Sequence, residues 1–377
     1  MTRPAAAASF RQMIDWSAFG VRATGKRRVR LERSPQFVDG LFRNPLPPHM
    51  RMGKALAKLV RGAPNREPSA PIPVLRRTAD EFLAPPPSGL RVTWLGHSAM
   101  LVEIGGRRFL TDPTFSPRIS PVSFAGPKRF WEAPIAAEAL PPIDAVLLSH
   151  DHFDHLDLPT IRALGPTTFV TPLGVGAHLE AWGVDPARIV ELDWWETTAI
   201  GGVEIACTPA RHFSGRTPTS RDRTLWGGLA LLAPKHRVFF SGDTGMFPGF
   251  ADIGRAYGPF DLTMMESGAY DAAWADVHIG PEQAVRAHQL LGGRVMLPVH
   301  WGTFNLALHA WTEPGERVLE AARRAGVTLA MPRPGGSFDP LDPTPIDRLE
   351  RWWPELPWQR ADEAPVVSSG LEGALAT

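Results

Sequence analysis

The chain has 377 residues, 44% of them apolar and 21% charged, with a formal net charge of +1. That length admits one large domain or two modest ones, and that apolar share argues against global disorder. The near-zero charge gives no basic excess for nucleic acid, no apolar run reaches the roughly 18 residues of a membrane helix, and the single cysteine, Cys207, excludes an intrachain disulfide framework and fits a reducing compartment.

In chain order, the opening "MTRPAAAASF" is too short an apolar stretch for a secretion signal, so the expectation is a cytoplasmic protein. "GKRRVRLER" (Gly25–Arg33) is basic, and "NPLPPHM" and "FLAPPPSG" are proline-rich, which favours extended connections. Residues 1–90 therefore read as an N-terminal arm, solvated or in peripheral contact with an acidic membrane surface. From 91 to 332 the pattern changes. "RVTWLG", "AMLVEIG", "RRFLTDP", "IDAVLLSH", "TTFVTP", "VEIACTPA", "GGLALLAP", "RVFFSGDTG", "DLTMMES" and "RVMLPVH" are short apolar or alternating runs bounded by Gly and Pro, the signature of strands. "LPTIRALG", "GVGAHLEAWG", "FADIGRAYG", "GPEQAVRAHQLLG" and "PGERVLEAARRAG" lie between or after them with helical periodicity. In the fourth, Pro281 stands at the first helical position and Gly292 beyond the end. The pattern is a sheet-rich α/β core covered by helices, followed by a proline-rich C-terminal tail over 333–377.

Chemistry-bearing residues recur at one place in these runs, just past the C-terminal ends of strands. His150, His212, Asp243 and His300 all stand there, at the rim where α/β proteins place their sites. His150 opens an H-x-H-x-D-H cluster with His152, Asp154 and His155. A short extended stretch sends His150 and His152 to the same side. Past the following turn, Asp154 and His155 can face a second position. His212 can complete the first set and His300 the second, and the two oxygens of Asp243 can bridge them. Imidazole and carboxylate without thiolate suit two Zn²⁺ ions, with Mn²⁺ or Fe²⁺ as alternatives. Two such ions, about 3.5–4 Å apart, would hold a bridging hydroxide and clamp the group under attack.

H-x-H-x-D-H, a later His, the Asp of "SGDTG" and a final His together resemble the metallo-β-lactamase superfamily. "WLGHSAMLVEIGGRRFLTDPTFSPRISPVSFAGPKRF", "LPPIDAVLLSHDHFDHLD", "LWGGLALLAP", "FFSGDTGMFPGFADIGRAYGPFDL", "GAYDAAW", "VHIGPEQAV" and "PVHWGTFNLALH" resemble its N-acylphosphatidylethanolamine-hydrolysing phospholipase D branch, over roughly Ser34 to Ala325. The resemblance implies an α/β fold of the αβ/βα four-layer sandwich type, two mixed sheets flanked by helices. It implies His150, His152 and His212 on one metal, Asp154, His155 and His300 on the other, and Asp243 between. It also implies that Asp112, in "LTDP", supports the metal loop, and that His97, in "WLGHS", lies near the site.

His278 stands just before the helix begun by Pro281, where free amides favour an anion, so it reads as a group that contacts phosphate or protonates the leaving alkoxide. Asp154 and His278 are the catalytic candidates beside the metals. Trp301 and Phe304 read as lining an apolar entrance. Cys207 reads as buried packing, and Ser267 lacks a base. The expected function is a dinuclear metal-dependent phosphodiesterase acting on N-acyl ethanolamine phospholipids or other organic phosphodiesters. Its partners would be a small-molecule or lipid phosphodiester and a second subunit in a homodimer, with no nucleic acid. A lactone hydrolase of the sugar-phosphate lactonase type and a non-catalytic, metal-stabilised binding protein are the alternatives. The nuclease branch carries a large insert where this chain has only about 56 residues between Asp243 and His300, and a di-iron redox protein is disfavoured because the sequence offers no flavin-binding module.

Overall fold

A computed structural model describes residues 15–51, 53 and 62–372; the N-terminal "MTRPAAAASF" and the last five residues lie outside them. The chain lays its strands down almost in order. β1 (Phe37–Val38) and β2 (Leu41–Phe42) form a small hairpin. β3 (Leu90–Gly96), β4 (Ala99–Ile104), β5 (Arg107–Thr111), β6 (Ala145–Leu147), β7 (Thr168–Pro172) and β8 (Ile189–Leu192) then follow one another across a first sheet. β9 (Thr197–Ile200), β10 (Val203–Thr208), β11 (Gly228–Leu232), β12 (Arg237–Phe240), β13 (Phe260–Glu266), β14 (Gly293–Val299) and β15 (Thr328–Leu329) do the same across a second. β16 (Ser337–Phe338) returns to pair with β3, giving two sheets of seven strands.

Each half obeys the same connection rule. β3–β4–β5 and β9–β10–β11–β12 are antiparallel, joined by turns or loops. From β5 to β8 and from β12 to β15 the pairs are parallel, which needs longer crossovers. Most of those crossovers are the helices expected from the sequence: Leu158–Ala163, Gly176–Ala181, Gly249–Tyr257, Pro281–Leu290 and Glu313–Ala325. Pro281 opens its helix as the spacing predicts, and Gly292 beyond its end has φ of 68°.

The period-two alternation divides the apolar residues between two interfaces. Leu90, Val92, Trp94, Met100, Val102 and Ile104 meet Val203, Ile205, Leu229, Leu231, Val238 and Phe240 in one core. Leu101, Leu110, Val146 and Phe169 have the opposite parity and pack with Ile161, Leu179 and Trp182 of the helical layer. Behind the second sheet the helix Pro281–Leu290 lies over β13 and β14, with His288 Nδ1 2.7 Å from Thr263 Oγ1. The molecule is therefore an αβ/βα sandwich.

Both flanks lie against this sandwich. The basic run forms a helix, Gly25–Glu32, that buries Leu31. Arg27 pairs with Glu180 at 2.9 Å and with Glu191 at 2.5 Å, and Arg30 pairs with Glu196, so much of the run's charge is spent on the chain's own carboxylates. In the tail, Trp352 and Trp353 are buried, with the Trp352 ring 5.6 Å from Trp94 and 5.2 Å from Trp301. The division at 90 and 332 thus stands as a proposal about where the chemistry resides. No helix among the described residues is long and apolar enough to cross a membrane.

Candidate metal centre

Four strands aim the site residues at one rim. His150 follows β6, His212 follows β10, Asp243 follows β12 and His300 follows β14. The first strand belongs to one sheet and the other three to its partner, so the site lies across the mouth of the sandwich. After His150 the chain turns within one step, with the amides of His155 and Leu156 donating to the His152 carbonyl at 3.1 and 2.8 Å. That turn separates the cluster into the two faces expected from its spacing.

The structure gathers these residues into two sets. His150 Nε2 lies 2.9 Å from His152 Nδ1, and His212 Nε2 lies 3.4 Å from the same atom. Asp243 Oδ2 is 3.8 Å from both His150 Nε2 and His212 Nε2. On its other side the same oxygen is 3.2 Å from His155 Nε2 and 3.2 Å from His300 Nε2. Asp154 Oδ2 closes the second set, 3.4 Å from His155 Nε2 and 3.2 Å from His300 Nε2. Within each of the groups His150, His152, His212, Asp243 and His97, Asp154, His155, His300, one donor atom per residue lies within 4.8 Å of the others.

These donors fit a pair of divalent ions. His155 Nε2 and Asp243 Oδ1 are buried without a hydrogen-bond partner, a costly condition that a cation would relieve. The charge balance points the same way. Burial would raise the carboxyls of Asp154 and Asp243, yet the facing imidazoles, His155 foremost, hold both well below the usual carboxylate range. Burial would strip protons from His155 and His300, yet Asp243 and Asp154 hold the first well above its ordinary value and push the second up to about 10. The carboxylates thus demand positive charge, which bound cations would supply in place of protons. His150 and His212 are held well below their ordinary value by burial, and His152 falls to about 4, so this set offers neutral, ligating imidazoles.

The supports behind these side chains fix their tautomers. His212 Nδ1 donates to the Val277 carbonyl at 2.8 Å, which turns the Nε2 lone pair into the site. Asp112 is fully buried just beyond β5. Its Oδ1 accepts the Ser149 amide at 2.7 Å, and its Oδ2 accepts the Ser149 hydroxyl at 2.5 Å and lies 2.7 Å from His155 Nδ1. Ser149 Oγ is in turn 2.9 Å from His150 Nδ1. His97 is buried with Nε2 3.1 Å from Asp154 Oδ2, and its amide donates to Thr303 Oγ1 at 2.8 Å. His97, Asp112 and His300 have φ of 52°, 29° and 66°, uncommon for residues with a Cβ.

His278 reaches the site, but not for the reason expected from sequence. Its ring is 17% exposed, and Nδ1 lies 3.9 Å from Asp243 Oδ2 and closer still to Glu266 Oε1. The helix beyond it does not present an open anion seat. The Gly280 amide donates to Gln283 Oε1 at 3.2 Å, Pro281 has no amide proton, and Val366 closes over Gly280. Burial lowers the His278 imidazole to about 4.

Sequence reasoning missed Glu266. It is fully buried at the end of β13, and its Oε2 accepts the Thr244 amide at 2.7 Å. Burial, together with the charge of Asp243, pushes its carboxyl well above the ordinary value. Its only sequence signal is an acidic residue closing an apolar strand. Phe304 flanks the site, 5.2 Å from the His97 ring, whereas Trp301 packs among the tryptophans. Both line a small cavity of about 20 Å³ that also touches His300 and His309. Cys207 is buried in β10, where burial pushes its thiol up, and the Ser267 hydroxyl donates to the Met265 carbonyl.

Residues 107–301 match the family described as the beta-lactamase superfamily domain. An uncharacterized protein of Mycobacterium tuberculosis is 46% identical over 349 residues, covering 89% of this chain and 92% of that protein. The N-acyl-phosphatidylethanolamine-hydrolyzing phospholipase D 1 of Caenorhabditis elegans is 36% identical over 264 residues, covering 66% of this chain and 74% of the relative. Among solved structures, a metallo hydrolase from the archaeon Ignicoccus hospitalis superposes with a TM-score of 0.51 at 23% identity, covering 66% of this chain and 98% of that one, a likeness of fold.

Proposed function

The chain belongs to the metallo-β-lactamase superfamily of metal-dependent hydrolases, and from that premise we propose that it is a dinuclear phosphodiesterase of the phospholipase D type. The observation that carries this reading is the single carboxylate oxygen of Asp243 shared by two donor sets at 3.2 and 3.8 Å. His150, His152 and His212 would hold one ion and Asp154, His155 and His300 the other, zinc being the first candidate. Bound there, the pair supplies an activated water and neutralises charge that builds on the phosphoryl oxygens.

The chain's own groups do the rest. Asp112 holds His155 and, through Ser149, His150 in their ligating tautomers. Asp154, part-exposed at the centre, lies 3.1 Å from His97, 3.4 Å from His155 and 3.2 Å from His300 and holds these rings towards one another. Glu266 fixes His278 through Nδ1, which leaves the Nε2 hydrogen to bond the phosphoryl group or the departing oxygen. The phosphodiester class is supported by the worm relative, whose name gives N-acyl-phosphatidylethanolamine as what it hydrolyses.

The test is metal stoichiometry on the purified chain together with a panel of diesters and lactones. Two ions per chain and turnover of a bis-aryl phosphodiester well above any lactone are expected. Faster lactone opening would move the protein to the lactonase type, and failure to take up a second ion would remove the proposed catalyst.

A further inference from the structure

We propose that Asn44, in the N-terminal arm, is a positioning residue of the metal centre. The inference rests on the metal-binding reading above and adds a residue that lies outside every motif of the resemblance.

His212 has a backbone problem. β10 ends at Thr208, so the buried His212 lies beyond the strand ladder, with an amide and a carbonyl that need partners. Asn44 supplies both. Its Nδ2 donates to the His212 carbonyl at 2.6 Å, and its Oδ1 accepts the His212 amide at 3.1 Å. The side-chain amide thus takes the place of a neighbouring strand and fixes the peptide on each side of the imidazole. With Nδ1 held by Val277, His212 is restrained at ring and backbone, and Asn44 is the part contributed by the arm.

The neighbouring residue ties the same stretch of arm down. Arg211 is buried, and its guanidinium donates to the carbonyls of Leu46 at 3.2 Å and Pro47 at 3.0 Å. It also pairs with Asp276 at 3.1 Å, and Asp276 accepts the His49 amide at 2.7 Å. Asp276 directly precedes Val277, whose carbonyl holds the His212 ring. Segment 44–49 therefore clamps both the backbone of a metal-holding histidine and the support of its ring. Among the described residues, no hydrogen bond or ion pair joins this segment to the other donor set, Asp154, His155 and His300.

The asymmetry makes the proposal testable. Metal-stripped full-length protein is titrated with zinc by calorimetry, and the step that belongs to the first set is identified as the one lost in His212→Ala. In Asn44→Ala that same step should weaken about tenfold or more, the usual scale for losing a group that orients a ligand. The second step and the melting temperature of the metal-free protein should stay near those of the parent. Asn44→Asp keeps an acceptor for the His212 amide and loses the donor, so an intermediate loss is expected. Val102→Ala, in the middle of the sandwich, is the control: it should lower the melting temperature and spare both steps. Two unaltered zinc steps in Asn44→Ala would overturn the proposal, as would equal weakening of both steps together with the melting temperature. No zinc uptake by the parent would overturn the dinuclear reading itself, a distinguishable result.

Discussion

Asp243 shows why this site depends on single atoms. One oxygen faces His150 and His212 on one side and His155 and His300 on the other. Asp243→Ala should therefore abolish hydrolysis while the protein stays folded, read as turnover beside circular dichroism; near-normal turnover would contradict the shared-ion arrangement. Glu266→Ala tests a second buried carboxyl. It should reduce kcat about 10–100-fold, the scale of losing a group that orients a site histidine, with metal content unchanged; parallel loss of metal would place Glu266 among the metal-holding groups instead. The seven residues of the two sets were legible because their spacing and strand-end positions imply convergence. Glu266 and Asn44 were not. Glu266 acquires its meaning from a histidine beyond the following loop, and Asn44 from a backbone 168 residues away in the sequence. No periodicity carries such a relation.

Among the elements, legibility followed burial. The apolar runs of β3–β7 and β10–β14 are nearly continuous, and the expected strands match them closely. β8 and β9, "IVEL" and "TTAI", are short and half-exposed, so no pattern set them apart. The helix Gly25–Glu32 was hidden by its charge, since Leu31 is its one buried residue. The helix Pro281–Leu290 carries a pH consequence. His288 on its inner side is buried, and burial lowers its imidazole to about 4. The unfolded chain takes up that proton near its ordinary pKa of roughly 6.5. Stability from neutral His288 is therefore fully present above about 6.5, is lost progressively as pH falls, and is gone below about 4. Melting temperature against pH should fall across that window, and His288→Gln should flatten the fall. An unchanged slope would mean that the histidine is not held neutral.

For the molecule as a whole, strand counting gave a sheet-rich α/β core, and only the family resemblance gave the sandwich. How the two sheets pack depends on contacts between halves of the chain, and each half taken alone reads as one more α/β sheet. The flanks illustrate the same limit. Proline-rich composition suggested only a tail, yet Trp352 packs against Trp94, Trp301 and Trp311. Trp352→Ala should cost about 3–5 kcal/mol in urea unfolding; a loss below 1 kcal/mol, about the mean for point substitutions, would show that the tail only rests on the surface. The split of the donor residues between the halves has a further result. His150, His152, Asp154 and His155 follow a strand of one sheet, and His212, Asp243 and His300 follow strands of the other. Any ion seated among them is also a rivet along the seam. A chelator that silences the protein should let the two leaves part at that rim first, and amide deuterium uptake would begin there.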